Sequence, residues 1–401
     1  MESSMPSLLV ISALAVLAPL AARGIGRVLR VPIIVFELIL GILVGPSLLG
    51  WVQPWAFIEA LSDFGLALLF FVAGTEIQAS ALRGRTGRRA WIGWLISIVA
   101  GIAIGLILLS GEAAVIVGIA LASTALGTLI PILRDAGELR TPFGQSVSAV
   151  GTVGEFGPLV AISVFLGGRN PGLATLVLLL FAVIAGLAVW WAMKVPQGRL
   201  HAFVDATLHT SGQFAVRLVL LILAALAVLS IALEIDMLLG AFTAGILWKL
   251  LMREADERTR EAVDSKIEAV AFGFLVPIFF IYTGVTFDLE ALIAEPVLLL
   301  FVPVTLVVLL VVRGLPSMLA APAGASGRER VAVMLMGATA LPIIVAVTAI
   351  GVSEEIIPSS HAAVLVGAGM LSVLLFPLLA TAVRGTGLKR DRSRPIEDDA
   401  A

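Results

Sequence analysis

The chain has 401 residues, 60% hydrophobic and 13% charged, with a formal net charge of −2 and a mean hydropathy of +1.10. Soluble domains carry about 25% charged residues, so this composition describes an integral membrane protein. There is no cysteine, which excludes disulfides, thiolate metal sites and cysteine nucleophiles, and three histidines (His201, His209, His361) are too few and too scattered for a metal centre.

About 20 apolar residues span the hydrocarbon of a bilayer. Apolar runs of that kind predict thirteen segments, at about 6–22, 32–50, 58–77, 90–110, 113–133, 144–167, 171–194, 214–234, 236–252, 267–288, 296–321, 330–351 and 359–383. The first is expected to remain as a membrane helix rather than a cleaved signal. Glu2 precedes it and the basic cluster Arg23, Arg27 and Arg30 follows it, the reverse of a secretory leader. Of the 26 Lys and Arg, all but Arg169 and Arg313 fall after odd-numbered segments or in the tail. Basic residues stay cytoplasmic, so the N-terminus is expected outside and the C-terminus inside. The stretch 195–213 reads as an interfacial connector, the charge-alternating 253–266 as a helical extension into water, and 384–401 as a disordered cytoplasmic tail.

Two pairs of segments echo each other. FFVAGTEIQASAL (70–82) and FFIYTGVTFDLEAL (279–292) share a double Phe, a Gly near the helix end, an acid (Glu76, Asp288) and a closing Ala-Leu. STALGTLIP (123–131) and ATALPII (338–344) each place Thr-Ala-Leu before a helix-breaking Gly or Pro at mid-membrane. Two five-helix units, segments 2–6 and 9–13, would put these pairs in register with opposite orientations. Inverted repeats with paired interrupted helices point to a secondary transporter with its site at the interruptions. Ser123, Thr124, Gly127, Thr128, Thr339 and Pro342 are the residues expected at that crossing. A threonine there can lend its oxygen, although bonding its own i−4 carbonyl is the common alternative.

The segment GQSVSAVGTVGEFGPLVAISVFLG (144–167) carries Glu155 near its middle. A charge at that depth costs roughly 2.5–3.5 kcal/mol on insertion scales, and such residues mark substrate or ion pathways. Glu155 is therefore the candidate cation- and proton-binding residue, with Gly154, Gly157 and Pro158 leaving room beside it. A carboxylate holds a proton or a cation but not both well, and that competition alone suffices for exchange. Arg313, in LLVVRGLPSM, is the candidate ion-pair partner or core-stabilising residue. It does not deprotonate, so it can hold the site but not carry the proton. Glu37 is expected to line an inner funnel; Glu59 and Asp63 share a face near the outer end of segment 3. Glu76, Glu234, Asp236 and Asp288 sit at helix ends, where capping or solvated roles are the default.

These stretches resemble a known family. VPIIVFELILGILVGPSLLG, LLFFVAGTEI, GAFTAGILW and PIFFIYTGVTFDL are similar to the second, third, ninth and tenth helices of the monovalent cation:proton antiporters, in the Kef-type and bacterial Na⁺/H⁺ exchanger branch. The resemblance covers nearly all thirteen segments. It implies an all-α antiporter fold like that of NhaA, a homodimer, and an elevator motion. A core domain (about 58–167 and 267–383) would move against a dimerisation domain (about 6–50 and 171–252). It implies that segments 5 and 12 cross at the site, that Glu155 stands where the family has its ion-binding aspartate, and that Arg313 stands at its basic position. The family carries Asp-Asp, Asn-Asp or Gln-Asp at the site; here the pair is Gly154-Glu155. With one carboxylate and no titratable Lys, an electroneutral one-for-one exchange of Na⁺ or K⁺ for H⁺ is expected, with Glu155 and Thr124 contacting the cation.

The expectation is thus a secondary transporter rather than an enzyme, in a bacterial inner membrane, with no cofactor beyond the transported ions, lipid around it and no nucleic-acid partner. A sodium-coupled symporter of an organic anion is the alternative, but no second cluster of Asn, Gln or Glu is evident. A channel would call for a filter or pore loop, and none is evident either.

Overall fold

The computed structural model describes residues 4–25, 32–77, 82, 84–166, 171–194, 213–253 and 255–385. The connector 195–212, the tail beyond 385, and the loop residues Arg27, Arg30, Arg83, Arg169 and Arg199 lie outside the described residues. The described chain is helical throughout: α1 Ser4–Ile25, α2 Ile33–Val44, α3 Ala56–Glu76, α4 Gly84–Leu108, α5 Glu112–Leu121, α6 Leu126–Asp135, α7 Pro142–Phe165, α8 Pro171–Lys194, α9 Phe214–Ala232, α10 Met237–Leu251, α11 Glu257–Val270, α12 Val276–Val285, α13 Leu289–Ala294, α14 Pro296–Leu309, α15 Gly327–Gly337, α16 Pro342–Ser353 and α17 Ser359–Arg384. Among the described residues, ten stretches are long and apolar enough to cross a membrane, and further apolar helices lie where segments 2, 7 and 9 are expected. The protein is a multi-pass membrane protein.

Local chemistry explains the helix ends. Thr141 accepts from the Gly144 N–H at 3.1 Å and Pro142 fills the first helical position of α7. Ser326 and Glu329 form a capping box at α15. Asp236 and Asp288 accept from Leu238 N–H (2.8 Å) and Ala291 N–H (2.9 Å), the capping role their positions suggest. Asp256 starts α11, and hydrogen bonds from Thr259 hold its carboxyl below the usual range. Two π-helical turns interrupt the long helices, Ala271–Leu275 before α12 and Leu310–Gly314 after α14.

The helices pack in two groups. In one, α3 packs most extensively on α10, α2 on α12, and α9 on α10. In the other, α4 packs on α5 and α7, and α15 and α14 pack on α17. The sequence expectation grouped segments 3 and 10 with the core; in the structure α3 packs most extensively on α10, and α12 on α2. Glycines make that possible. A Cβ added at Gly245 would lie 3.0 Å from Gly74 Cα, and one at Gly41 3.0 Å from Gly284 Cα. Small residues of this kind let membrane helices approach backbone to backbone, where packing rather than the hydrophobic effect holds them.

This contact can be tested directly. Gly74→Val is expected to separate α3 from α10 and cost about 1–3 kcal/mol, as overpacked sites do. Thermal unfolding in detergent should show a Tm several degrees below that of Gly273→Ala, where no atom lies within 4 Å of the added Cβ. Equal Tm values would remove the close approach as a source of stability.

Candidate functional site

Two helices break in the middle of the bundle. The chain leaves α5 at Leu121 and resumes as α6 at Leu126; it leaves α15 at Gly337 and resumes as α16 at Pro342. Interrupting a helix frees backbone groups that must find partners inside the protein. Here the two interruptions supply each other: Ala125 N–H donates to the Thr339 carbonyl at 2.8 Å. Thr124 N–H donates to the Gly154 carbonyl of α7 at 2.9 Å, so α7 is the third element of the crossing. Ser372 of α17 closes the far side, donating to Ala340 O (2.9 Å) and accepting from Ala340 N–H (3.0 Å).

Thr124 is the junction. Its hydroxyl donates to the Gly337 carbonyl at 2.6 Å and accepts from Arg313 Nε at 2.8 Å. Arg313 is fully buried and also donates through Nη2 to the Val150 carbonyl at 2.8 Å. Its π-helical turn carries it to this place, as π turns often do at functional positions. One guanidinium thus ties the helix after α14 to the α5–α6 break and to α7. Gly154 is the residue that lets it in: a Cβ there would lie 2.5 Å from Arg313 Nη2 and 2.5 Å from Thr124 Oγ1. A glycine at this position therefore has a packing cause.

Glu155 is 1% exposed. The backbone N–H of Leu126, the first residue of α6, lies near its carboxylate, so the positive end of a half-helix faces the acid. Oε2 has no hydrogen-bond partner. Arg313 does not supply one: its bonds go to Thr124 and Val150, and Nη1 is unpartnered. Of the two roles expected for Arg313, ion-pair partner or core stabilisation, its observed bonds are those of a buried crosslink. The physical reason is helical geometry: Gly154 and Val150, which face Arg313, lie about 100° and about 140° around α7 from Glu155.

Other expected residues divide. Ser123 and Thr339 are buried, but their hydroxyls bond the backbone of their own helices, at Ala120 O (2.7 Å) and Leu335 O (3.2 Å). Pro342 begins α16 and Gly127 lies in the first turn of α6. Thr128 is 7% exposed with an unpartnered hydroxyl. Glu37 is buried on α2, which packs on α12 and α1, and it does not line the cavity described next.

Three residues deserve more weight than sequence reasoning gave them. Ser148 and Thr152 are buried with unpartnered hydroxyls, and with Glu155 they stand at i, i+4 and i+7 on one face of α7. Buried hydroxyls normally satisfy themselves on the helix backbone; a row of free ones beside a carboxylate offers oxygen ligands. The third is Glu76. A cavity of about 220 Å³ opens where α3 and α10 end, beside the second half of α11, lined by Glu76, Arg134, Lys249, Asp264 and Glu268 among others. Glu76 is close enough to Glu155 for their charges to interact. The spacing 148, 152, 155 was legible in the sequence; the inward turn of Glu76 was not.

Over residues 12–382 the chain matches the family described as "Sodium/hydrogen exchanger, transmembrane". It is 27% identical to the putative Na⁺/H⁺ antiporter YjbQ of Bacillus subtilis, over 79% of this chain and 53% of that protein. It is 28% identical to the Na⁺/H⁺-K⁺ antiporter GerN of Bacillus cereus, over 64% of this chain and 66% of that one. The chain therefore spans about half the length of the first relative and just under two thirds of the second. In structure it is similar to the sodium proton antiporter MjNhaP1 of Methanocaldococcus jannaschii at pH 8, with a TM-score of 0.66 and 19% identity over 96% of this chain and 98% of that one; this likeness speaks to the fold.

The junction makes a prediction of its own. Thr124→Val removes the acceptor of Arg313 Nε and leaves the Gly337 carbonyl unmet, at about 1–3 kcal/mol for each stranded buried group. Thr339→Val removes only a bond within its own helix. Thermal unfolding of the two variants should rank Thr124→Val clearly below Thr339→Val; the opposite ranking would remove Thr124 from the centre of the crossing.

Proposed function

The chain belongs to the sodium/hydrogen exchanger family, and from that premise we propose that it exchanges a monovalent cation, Na⁺ or K⁺, for H⁺ at Glu155. The observation that carries this reading is the unpartnered carboxylate oxygen of Glu155, 1% exposed, at the crossing of two broken helices. A buried acid with an open coordination position can be neutralised by a proton or by a cation, and the two compete. Thr152, Ser148 and Thr128 are the hydroxyls available to replace part of a cation's hydration shell. Oxygen ligands of this kind suit hard cations.

The charge balance supports one-for-one exchange. Arg313 stays protonated and is fixed by Thr124 and Val150. Whether Glu155 holds H⁺ or a monovalent cation, the crossing then carries the same net charge, so both loaded forms cross the field alike. Alternating access would come from the group containing α4–α7 and α14–α17 moving against the group of α1–α3, α9, α10 and α12. Phe156, next to Glu155, stacks on Phe242 of α10 with ring centroids 5.8 Å apart, so the sliding surface passes beside the site. Thirteen spans with the N-terminus outside, a homodimer and a bacterial inner membrane complete the proposal. The GerN relative's name includes both Na⁺ and K⁺, which is why both cations stand in it.

In liposomes loaded with a pH dye and given a proton gradient, adding Na⁺, K⁺ or Li⁺ in turn is expected to collapse the gradient for at least one of them. Glu155→Gln should abolish that collapse while keeping the wild-type elution profile. Full activity in Glu155→Gln would move the site elsewhere.

A further inference from the structure

The cavity bearing Glu76 lies between the two helix groups. Glu76 ends α3 and Lys249 lies near the end of α10; Asp264 and Glu268 stand on α11, which follows it. Arg134 faces them from the last turn of α6, the half-helix whose first N–H meets Glu155. Arg134 Nη2 lies 3.6 Å from Glu76 Oε1, with side chains 55% and 13% exposed. Lys249 is committed elsewhere, its Nζ donating to the Ile77 carbonyl at 2.7 Å on its own side of the boundary. Glu76 Oε2 is buried without a partner.

We propose that Arg134 is a tethered cation gating this mouth of the exchange path: it bridges the two helix groups at Glu76 until an arriving monovalent cation or proton takes its place. This rests on the exchange reading. The geometry favours a latch that yields. The contact is long for an ion pair and half open to water, where such pairs contribute little, so a competitor can displace it. It also spans the boundary along which the groups would slide, so that motion must break or remake it. The charges facing Glu76 are Arg134 from α6, Lys249 from α10, Glu268 and Asp264 from α11, and Glu155 from α7. Of the two bases, Arg134 is the one on the opposite group. By the placement of the basic loops, this mouth is the cytoplasmic one.

The Cys-free sequence allows a test that needs no transport. Thr75→Cys places a thiol in the cavity wall. Its labelling by a cationic methanethiosulfonate is expected to run about two- to five-fold faster when Arg134→Ala is added, the range that removing one half-exposed charge supports. Labelling by a neutral methanethiosulfonate should change less, and Arg134→Lys should restore the slow cationic rate. In vesicles of defined orientation, Arg134→Ala should lower the KM for the cation by a similar factor on the cytoplasmic side and leave the other side unchanged. A cationic labelling rate unaffected by Arg134→Ala, or a KM that shifts equally on both sides, overturns the proposal. If the wild type exchanges no cation, the exchange reading fails and the labelling rates still decide the gate.

Discussion

The hydroxyl of Thr124 is the interaction on which the rest of the site depends. It joins Arg313 Nε and the Gly337 carbonyl, while its own backbone N–H holds the Gly154 carbonyl. Four separate parts of the chain therefore meet at one residue: both interrupted helices, α7, and the π turn after α14. Broken helices are costly in a membrane unless their freed groups are met inside the protein. This junction meets them, and in doing so fixes where α6 begins. The start of α6 in turn sets the N–H that faces Glu155. The acid is placed by the junction without touching Arg313.

That arrangement separates two roles that one residue pair could have combined. Arg313 is buried among carbonyl and hydroxyl partners and serves to hold helices together. Glu155 keeps an oxygen free. A salt bridge between them would have filled the position that the proposed exchange leaves for a cation or proton. Breaking such a buried pair on each cycle would also cost several kcal/mol. Gly154 is what keeps the roles apart, because any side chain there would meet the guanidinium.

Much of this was legible in the sequence because membranes restrict the choices. Long apolar runs, the two Thr-Ala-Leu breaks and a lone mid-segment Glu155 follow from residue identity and depth alone. The capping roles of Asp236 and Asp288 followed from their positions. Other features depend on packing that no local pattern encodes. Glu76 sits at a helix end like any solvated acid, and only the approach of α6, α10 and α11 makes it part of a cavity. The assignment of α3 and α12 to one packing group rests on glycine-to-glycine contacts between distant segments. Arg313 read as either a pair partner or a core-stabilising residue because it is a buried charge; its bonds to Thr124 and Val150 depend on the register of three helices at once.

One carboxylate with a fixed, always-charged arginine beside it should move no net charge per cycle. The most direct measurement is the balance point of exchange in liposomes, with the cation and proton gradients opposed and the membrane potential set independently. Flux should cease where the two gradients are equal, at every potential. A balance point that moves with the potential would show net charge transfer and contradict a single exchanging site at Glu155.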